Sequence, residues 1–175
     1  VRDDADMLTG FMPSGEEFRF GGDSTADFGS FSLKGRIDRI DLGDAGLIVT
    51  DYKGRAKTGY ADFADKGLVQ LPLYAEVASR AFGVPVVGGL YRGVRDSSCR
   101  GFFSQAVSPV GLSPKDLVDD SVLRAIVDDA VARSVLAVEG MRAGEITPTP
   151  SKDACRYCGA TAVCEQRIKE EPWRG

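Results

Sequence analysis

No histidine occurs among the 175 residues, so a zinc site in this chain has no imidazole to complete a tetrahedral ligand set. No run of 18 apolar residues is present and no leader of the secretory kind, so nothing points to a membrane span or to export, and a cytoplasmic protein is expected. An excess of basic charge is missing as well, with 22 Lys and Arg against 26 Asp and Glu, for a net charge of −4. Phosphate contacts want Lys and Arg, so a nucleic-acid ligand would need a local basic groove or a partner that feeds it in. Cysteine is scarce, with four residues, and three of those fall between positions 155 and 164. What remains is an ordinary composition, 43% hydrophobic and 27% charged, on a length that suits one domain with a full core.

The chemistry-bearing residues concentrate in Gly35-Arg36-Ile37-Asp38-Arg39-Ile40-Asp41 and Val49-Thr50-Asp51-Tyr52-Lys53. A hairpin turning at Asp44-Ala45, between Gly43 and Gly46, sets Asp38 directly across from Asp51. Side chains facing each other in an antiparallel pair have Cβ atoms about 4.5–5.5 Å apart. Two carboxylates that close repel unless one is protonated or a cation lies between them, and a hard divalent metal suits the gap. Lys53, two residues beyond Asp51, shares its strand face. Leu47-Ile48-Val49-Thr50 is the continuous apolar, β-branched run of a strand covered on both faces. In the strand expected over 30–42, Phe31, Leu33 and Ile37 fall on one face and Ile40 and Leu42 on the other. Either a bulge near Arg39 or burial of both faces accounts for that, and a bulge would make Asp41 the facing acid instead of Asp38.

Gly-x-Ile-Asp-Arg-Ile-Asp, then Asp-Tyr-Lys, then Gln70-Leu-Pro-Leu-Tyr74 resembles the RecB-type branch of the PD-(D/E)xK nucleases, and within it the nuclease domain at the C-terminus of AddB/RexB-type helicase-nuclease subunits. The resemblance implies a restriction-endonuclease-like fold and a metal-dependent deoxyribonuclease of the exonuclease type. It implies Mg²⁺ or Mn²⁺ held by Asp38 and Asp51 with the Tyr52 carbonyl as a further ligand, and Lys53 assisting the attacking water. Gln70 and Tyr74 would complete the site. It also implies DNA end processing in double-strand break repair and recombination beside a helicase partner subunit of AddA/RexA type. A [4Fe–4S] cluster on Cys155, Cys158, Cys164 and a fourth cysteine far upstream is implied too; the fourth is expected to be lacking here, because Cys99 has no ligand spacing to the others. The chain therefore reads as an excised part of a longer polypeptide that cannot complete the cluster. One departure from the branch is the missing histidine ligand on an upstream helix.

The remaining residues predict a frame for that site. Residues 1–17 read as a frayed acidic arm in which Glu16 or Glu17 is either a solvated charge or a third acid. Gly54 to Gly59 is a basic loop whose Arg55 and Lys57 either flank a bound phosphodiester or are solvated. A helix is expected from about Leu68 to Phe82, with Val69, Leu73, Val77 and Ala81 as its buried stripe and Gln70 and Tyr74 on one face. Two strands follow over 84–94 and 100–107. A long helix is then capped at Ser113-Pro114 and runs to about Ala143. Together these predict an α/β chain, a three-layer α/β/α sandwich around a mixed sheet, with a core over 1–146 and a Cys-rich segment over 147–175. In that segment the Cys-x-x-Cys spacing reads as ligand or redox usage and not as core.

Overall fold

A computed structural model describes residues 8–22, 26–107, 112–148, 154–160 and 163–164. Six strands form one sheet in sequence order: β1 (Phe11–Phe20), β2 (Gly35–Gly43), β3 (Gly46–Lys53), β4 (Val86–Gly93), β5 (Cys99–Ser104) and the two-residue β6 (Leu117–Val118). The first three are antiparallel neighbours, while β3 pairs β4 and β5 pairs β6 in parallel. Parallel neighbours need a crossover. Between β3 and β4 it is supplied by α1 (Tyr60–Lys66) and α2 (Gln70–Phe82). A long helix, α3 (Asp120–Arg142), follows β6. The result is the α/β fold with a mixed central sheet that the sequence predicts.

The hairpin register is the expected one, with Arg39 opposite Thr50, Ile40 opposite Val49 and Gly43 opposite Gly46. Gly46 has φ +141°, and a Cβ there would lie 2.3 Å from the Pro85 carbonyl oxygen, so the turn needs a glycine. β2 keeps one register against β3, and the sheet's irregularity on this side falls in β1, between Pro13 and Gly15. Ile37, Ile40 and Asp41 are all fully buried. Ile37, Ile40 and Leu42 nonetheless pack into one core cluster on the helix side, while Asp41 lies opposite Ile48 and so on the face away from Asp51; the β2–β3 ladder ends at Arg39 and Thr50, one step short of Asp38 and Asp51.

Asp41 serves packing instead. Its carboxylate accepts from Arg39 Nε at 2.8 and 3.0 Å and from Arg39 Nη2 at 2.7 Å, and the Arg39 side chain is only 15% exposed. Removing one member of a buried pair strands the other's charge, which costs about 3–5 kcal/mol. Asp41→Ala is accordingly expected to lower the melting temperature by roughly 10 °C at this chain length. Thermal unfolding followed by circular dichroism measures it, and an unchanged midpoint would show that the pair contributes nothing.

One core cluster joins the sheet to the helices through Ile37, Ile40, Leu47, Val49, Tyr91 and Phe102 against Phe63 of α1, Leu71, Ala75 and Ala78 of α2, and Leu123 of α3. On the other face, Ile48, Leu90 and Phe103 are closed off by Leu8, Val107, Phe11 and Leu112. Among the described residues, α1, α2 and α3 pack on the first of these two faces.

Several boundaries differ from the sequence reading. Residues 11–17 are not an arm but most of β1, an edge strand whose Phe18 and Phe20 rings reach Phe82 and Tyr74 of α2. β2 begins at Gly35, because residues 26–33 form their own turn, with Leu33 N–H donating to the Ala26 carbonyl at 2.9 Å. The sequence reading does not contain α1, since seven residues carry no periodic stripe. α2 is buried nearly all round, at Leu71, Pro72, Leu73, Ala75, Glu76, Val77 and Ala78, while Ala81 is exposed. It is wedged between the sheet and α3, where Glu76 accepts 2.8 Å hydrogen bonds from Arg80 and Arg124. Ser113-Pro114 opens a single 3-10 turn, not the long helix: Leu117 and Val118 pair with β5 before α3 starts at Asp120. Most of the Cys-rich segment over 147–175 lies outside the described residues.

Candidate metal-dependent nuclease site

β3 ends at the sheet edge facing α2, and its last alternate residues, Asp51 and Lys53, point toward that helix. The continuous apolar stretch Leu47 to Val49 buries the strand and carries Asp51 into the interior, where it is only 5% exposed. Lys53 Nζ lies 2.6 Å from Asp51 Oδ2 and donates to Gln70 Oε1 at 3.4 Å. Gln70 Nε2 in turn donates to Asp51 Oδ1 at 3.4 Å and to the Tyr74 hydroxyl at 3.3 Å. One turn of α2 thus brings Gln70 and Tyr74 to the acid and lysine of β3, as the four-residue spacing requires. Gly83 closes α2 in the left-handed conformation, φ 68°, donating to the Ser79 carbonyl.

Asp38 comes in from β2. Where the backbone ladder of β2 and β3 stops, its Oδ2 accepts from the Tyr52 N–H at 2.9 Å. That hydrogen bond replaces the next rung and fixes Asp38 beside the end of β3. Burial pushes the Asp51 carboxyl above its ordinary range; the Lys53 ammonium opposes this shift, and the Asp38 charge adds to it. The two acids are close enough to feel each other, as expected for a pair that a cation relieves.

A divalent ion fits these residues. Asp51 Oδ2 is buried and is met by the Lys53 ammonium at 2.6 Å, with no other donor on it among the described residues. A carboxylate oxygen carries two lone pairs, so one ammonium leaves capacity for a cation. Among the described residues no group of three His, Cys, Asp or Glu side chains gathers to hold a metal. The donors are therefore two carboxylates, the sparse set that Mg²⁺ accepts because it keeps several of its waters.

The other candidates are placed elsewhere. Glu17, in the left-handed conformation at φ 52°, forms an ion pair with Arg36, and Glu16 is exposed on β1 opposite Arg39. Neither joins the acids. The 54–59 loop is tied to the β4–β5 turn: Ala56 N–H donates to Ser98 Oγ at 2.8 Å, and Arg55 leans toward Asp96 at 3.9 Å. Lys57 is exposed. Cys99 sits beside Arg92, whose Nη1 is 2.6 Å from its sulfur. Cys155 and Cys158 are exposed and Cys164 half-buried. As placed, the three thiols do not gather to hold an iron–sulfur cluster.

Tyr91 is the neighbour that the sequence reading missed. The parallel register sets it beside Asp51, buried, with its ring centroid 5.5 Å from Lys53 Nζ. Burial first, then the Asp51 charge and Tyr74, push its phenol up to about 12, so it stays neutral. From sequence alone Tyr91 is one apolar residue in the run before Asp96, and only the β3–β4 pairing brings it to the site.

With this geometry in view, the comparisons with known proteins are specific. The profile of the PD-(D/E)XK nuclease superfamily matches residues 1–165. The chain belongs to that superfamily. It is also 31% identical to a subunit of the ATP-dependent helicase/deoxyribonuclease of Natranaerobius thermophilus, over 89% of this chain and 19% of that protein. The chain thus spans about a fifth of the length of this curated relative. No helix among the described residues is long and apolar enough to cross a membrane.

Proposed function

We propose that this PD-(D/E)XK chain is a deoxyribonuclease domain that hydrolyses phosphodiester bonds with Mg²⁺ or Mn²⁺. The observation that carries the reading is Asp51, a buried carboxylate close enough to feel the Asp38 charge, with a lysine ammonium 2.6 Å from its Oδ2. Asp38 and Asp51 hold the ion, with the Tyr52 carbonyl as a further donor. When bound, the ion acts as a Lewis acid on the phosphate and lowers the pKa of a coordinated water toward about 7.

The chain's own residues do the rest. Tyr52 N–H keeps the Asp38 carboxylate turned toward β3. Lys53, 42% exposed along its side chain, reaches from Asp51 toward solvent, where it orients the attacking water and offsets the charge that builds on the phosphoryl oxygens. Gln70 bridges Lys53, Asp51 and Tyr74 and so holds both members of the β3 pair in one geometry. The basic loop with Arg55 and Lys57 supplies the local positive charge that a chain of net charge −4 needs to hold DNA.

Likeness to a helicase/deoxyribonuclease subunit supports a helicase-associated nuclease; the finer reading we propose is an exonuclease module that processes DNA ends in double-strand break repair and recombination, supplied with DNA by a helicase partner. Linear single- and double-stranded DNA incubated with the chain should be degraded with Mg²⁺ or Mn²⁺ and left intact with EDTA. Degradation unaffected by EDTA would remove the metal from the reading. Saturable DNA binding without cleavage at any metal concentration would make the chain a binding module instead.

A further inference from the structure

We infer that Tyr91 is a positioning residue for Lys53: the face of its buried ring carries the ammonium and holds it against Asp51. The proposal rests on the nuclease reading for its catalytic consequence, but its geometry stands separately. Lys53 ends a flexible stem and is partly exposed, so a fixed place beside Asp51 carries an ordering cost. Its contacts with side chains are loose apart from Asp51: Gln70 Oε1 is 3.4 Å away, at the long limit of a hydrogen bond. Beneath it lies the Tyr91 ring, 5.5 Å from Nζ to centroid, within the range in which an aromatic face attracts a cation.

That ring is itself immobilised. Tyr91 is 6% exposed. It lies parallel to the Phe63 ring of α1, with centroids 6.0 Å apart and an interplanar angle of 1°. Phe63 in turn meets Phe102 of β5 edge-on at 5.1 Å. The start of α1 is pinned as well. Tyr60 N–H donates to Asp116 Oδ1 at 3.1 Å, and the buried Asp116 also accepts from Arg100 Nε at 2.7 Å. Gly59 leaves room for this junction, since a Cβ there would run into the Arg100 guanidinium. The short helix α1, which contributes nothing directly to the acid pair, thereby acquires a purpose: it backs the ring on which the lysine rests.

The role belongs to the ring face and not to the hydroxyl, which makes it separable from general packing. Tyr91→Phe is expected to keep kcat within about threefold of the parent, and Tyr91→Leu to lower kcat about tenfold or more with KM little changed, because a small misplacement of a reacting group is costly. In the background of Lys53→Met, Tyr91→Leu should cost no further rate. A purely structural residue would add its loss there too. Independently of cleavage, the Lys53 ε-methylene protons should show an upfield ring-current shift by NMR in the parent and in Tyr91→Phe, absent in Tyr91→Leu. Should Tyr91→Leu lose its cooperative melting transition, Tyr91→Met replaces it as the ring-free variant. A ring-free variant as fast as the parent, an additive loss on top of Lys53→Met, or an unshifted Lys53 signal in the parent overturns the proposal. So does a Tyr91→Phe variant as slow as the ring-free one. If the parent cleaves no DNA, the nuclease reading fails while the NMR comparison still decides what Tyr91 does to Lys53.

Discussion

Asp51→Asn should reduce metal-dependent DNA cleavage by on the order of 10³-fold or more while leaving the fold as stable as the parent's, or more stable. The loss follows because the amide gives up the negative charge that draws the ion. The stability half follows from linkage. Burial raises the folded-state pKa of Asp51 above its unfolded value, with Lys53 only partly opposing it. Such a group favours folding while protonated and loses that contribution as pH rises through the folded pKa, so near neutrality the ionised Asp51 opposes folding. Replacing it with a neutral isostere removes that opposition, and Lys53, partly exposed, keeps its solvent. Single-turnover cleavage and thermal melting on the same preparation test both halves. A variant that cuts DNA at the parent's rate would remove Asp51 from the site, and a much lower melting temperature would show that the carboxylate is structural.

Lys53→Met keeps most of the side-chain stem and deletes the charge. The expected result is a fall in kcat of on the order of 10²-fold with DNA affinity nearly unchanged, since an ammonium beside the reaction centre contributes mainly where charge develops in the transition state. The geometry favours this outcome over a simple phosphate anchor: Lys53 is drawn inward, 2.6 Å from Asp51, and its ring neighbour lies on the protein side. Fluorescence anisotropy with metal replaced by Ca²⁺ gives the affinity, and single-turnover kinetics gives the rate. Equal losses in both would assign Lys53 to substrate binding.

These two residues, with Asp38, were legible from spacing because a hairpin is local. Gly43 and Gly46 set the turn, the turn sets the register, and the register, which runs to Arg39 opposite Thr50, brings Asp38 and Asp51 to the same end of the hairpin. Gln70 and Tyr74 were legible as a pair through helical periodicity, and through the family resemblance as members of a nuclease site. The same local logic misread the region after Ser113. Ser-Pro there does start a turn of helix, but the vacant edge of β5 captures Leu117-Val118 as a strand, and no property of those two residues announces a distant edge.

The sequence by itself determined the hairpin, its acids and lysine, the helical pair, and the α/β class, since each depends on residues within a few turns of one another. Only the tertiary structure decided the rest. It turned Asp41 to the face of Ile48, as the partner of a buried arginine instead of a site acid. It gathered α1, α2 and α3 into one core cluster. By pairing β3 with β4 in parallel across a 32-residue connection, it brought Tyr91 beside Asp51 and Lys53. The physical reason is the same in each case: side-chain periodicity reports which face of an element is apolar, but what lies against that face is settled by pairings between segments far apart in the chain, where no local pattern carries the register.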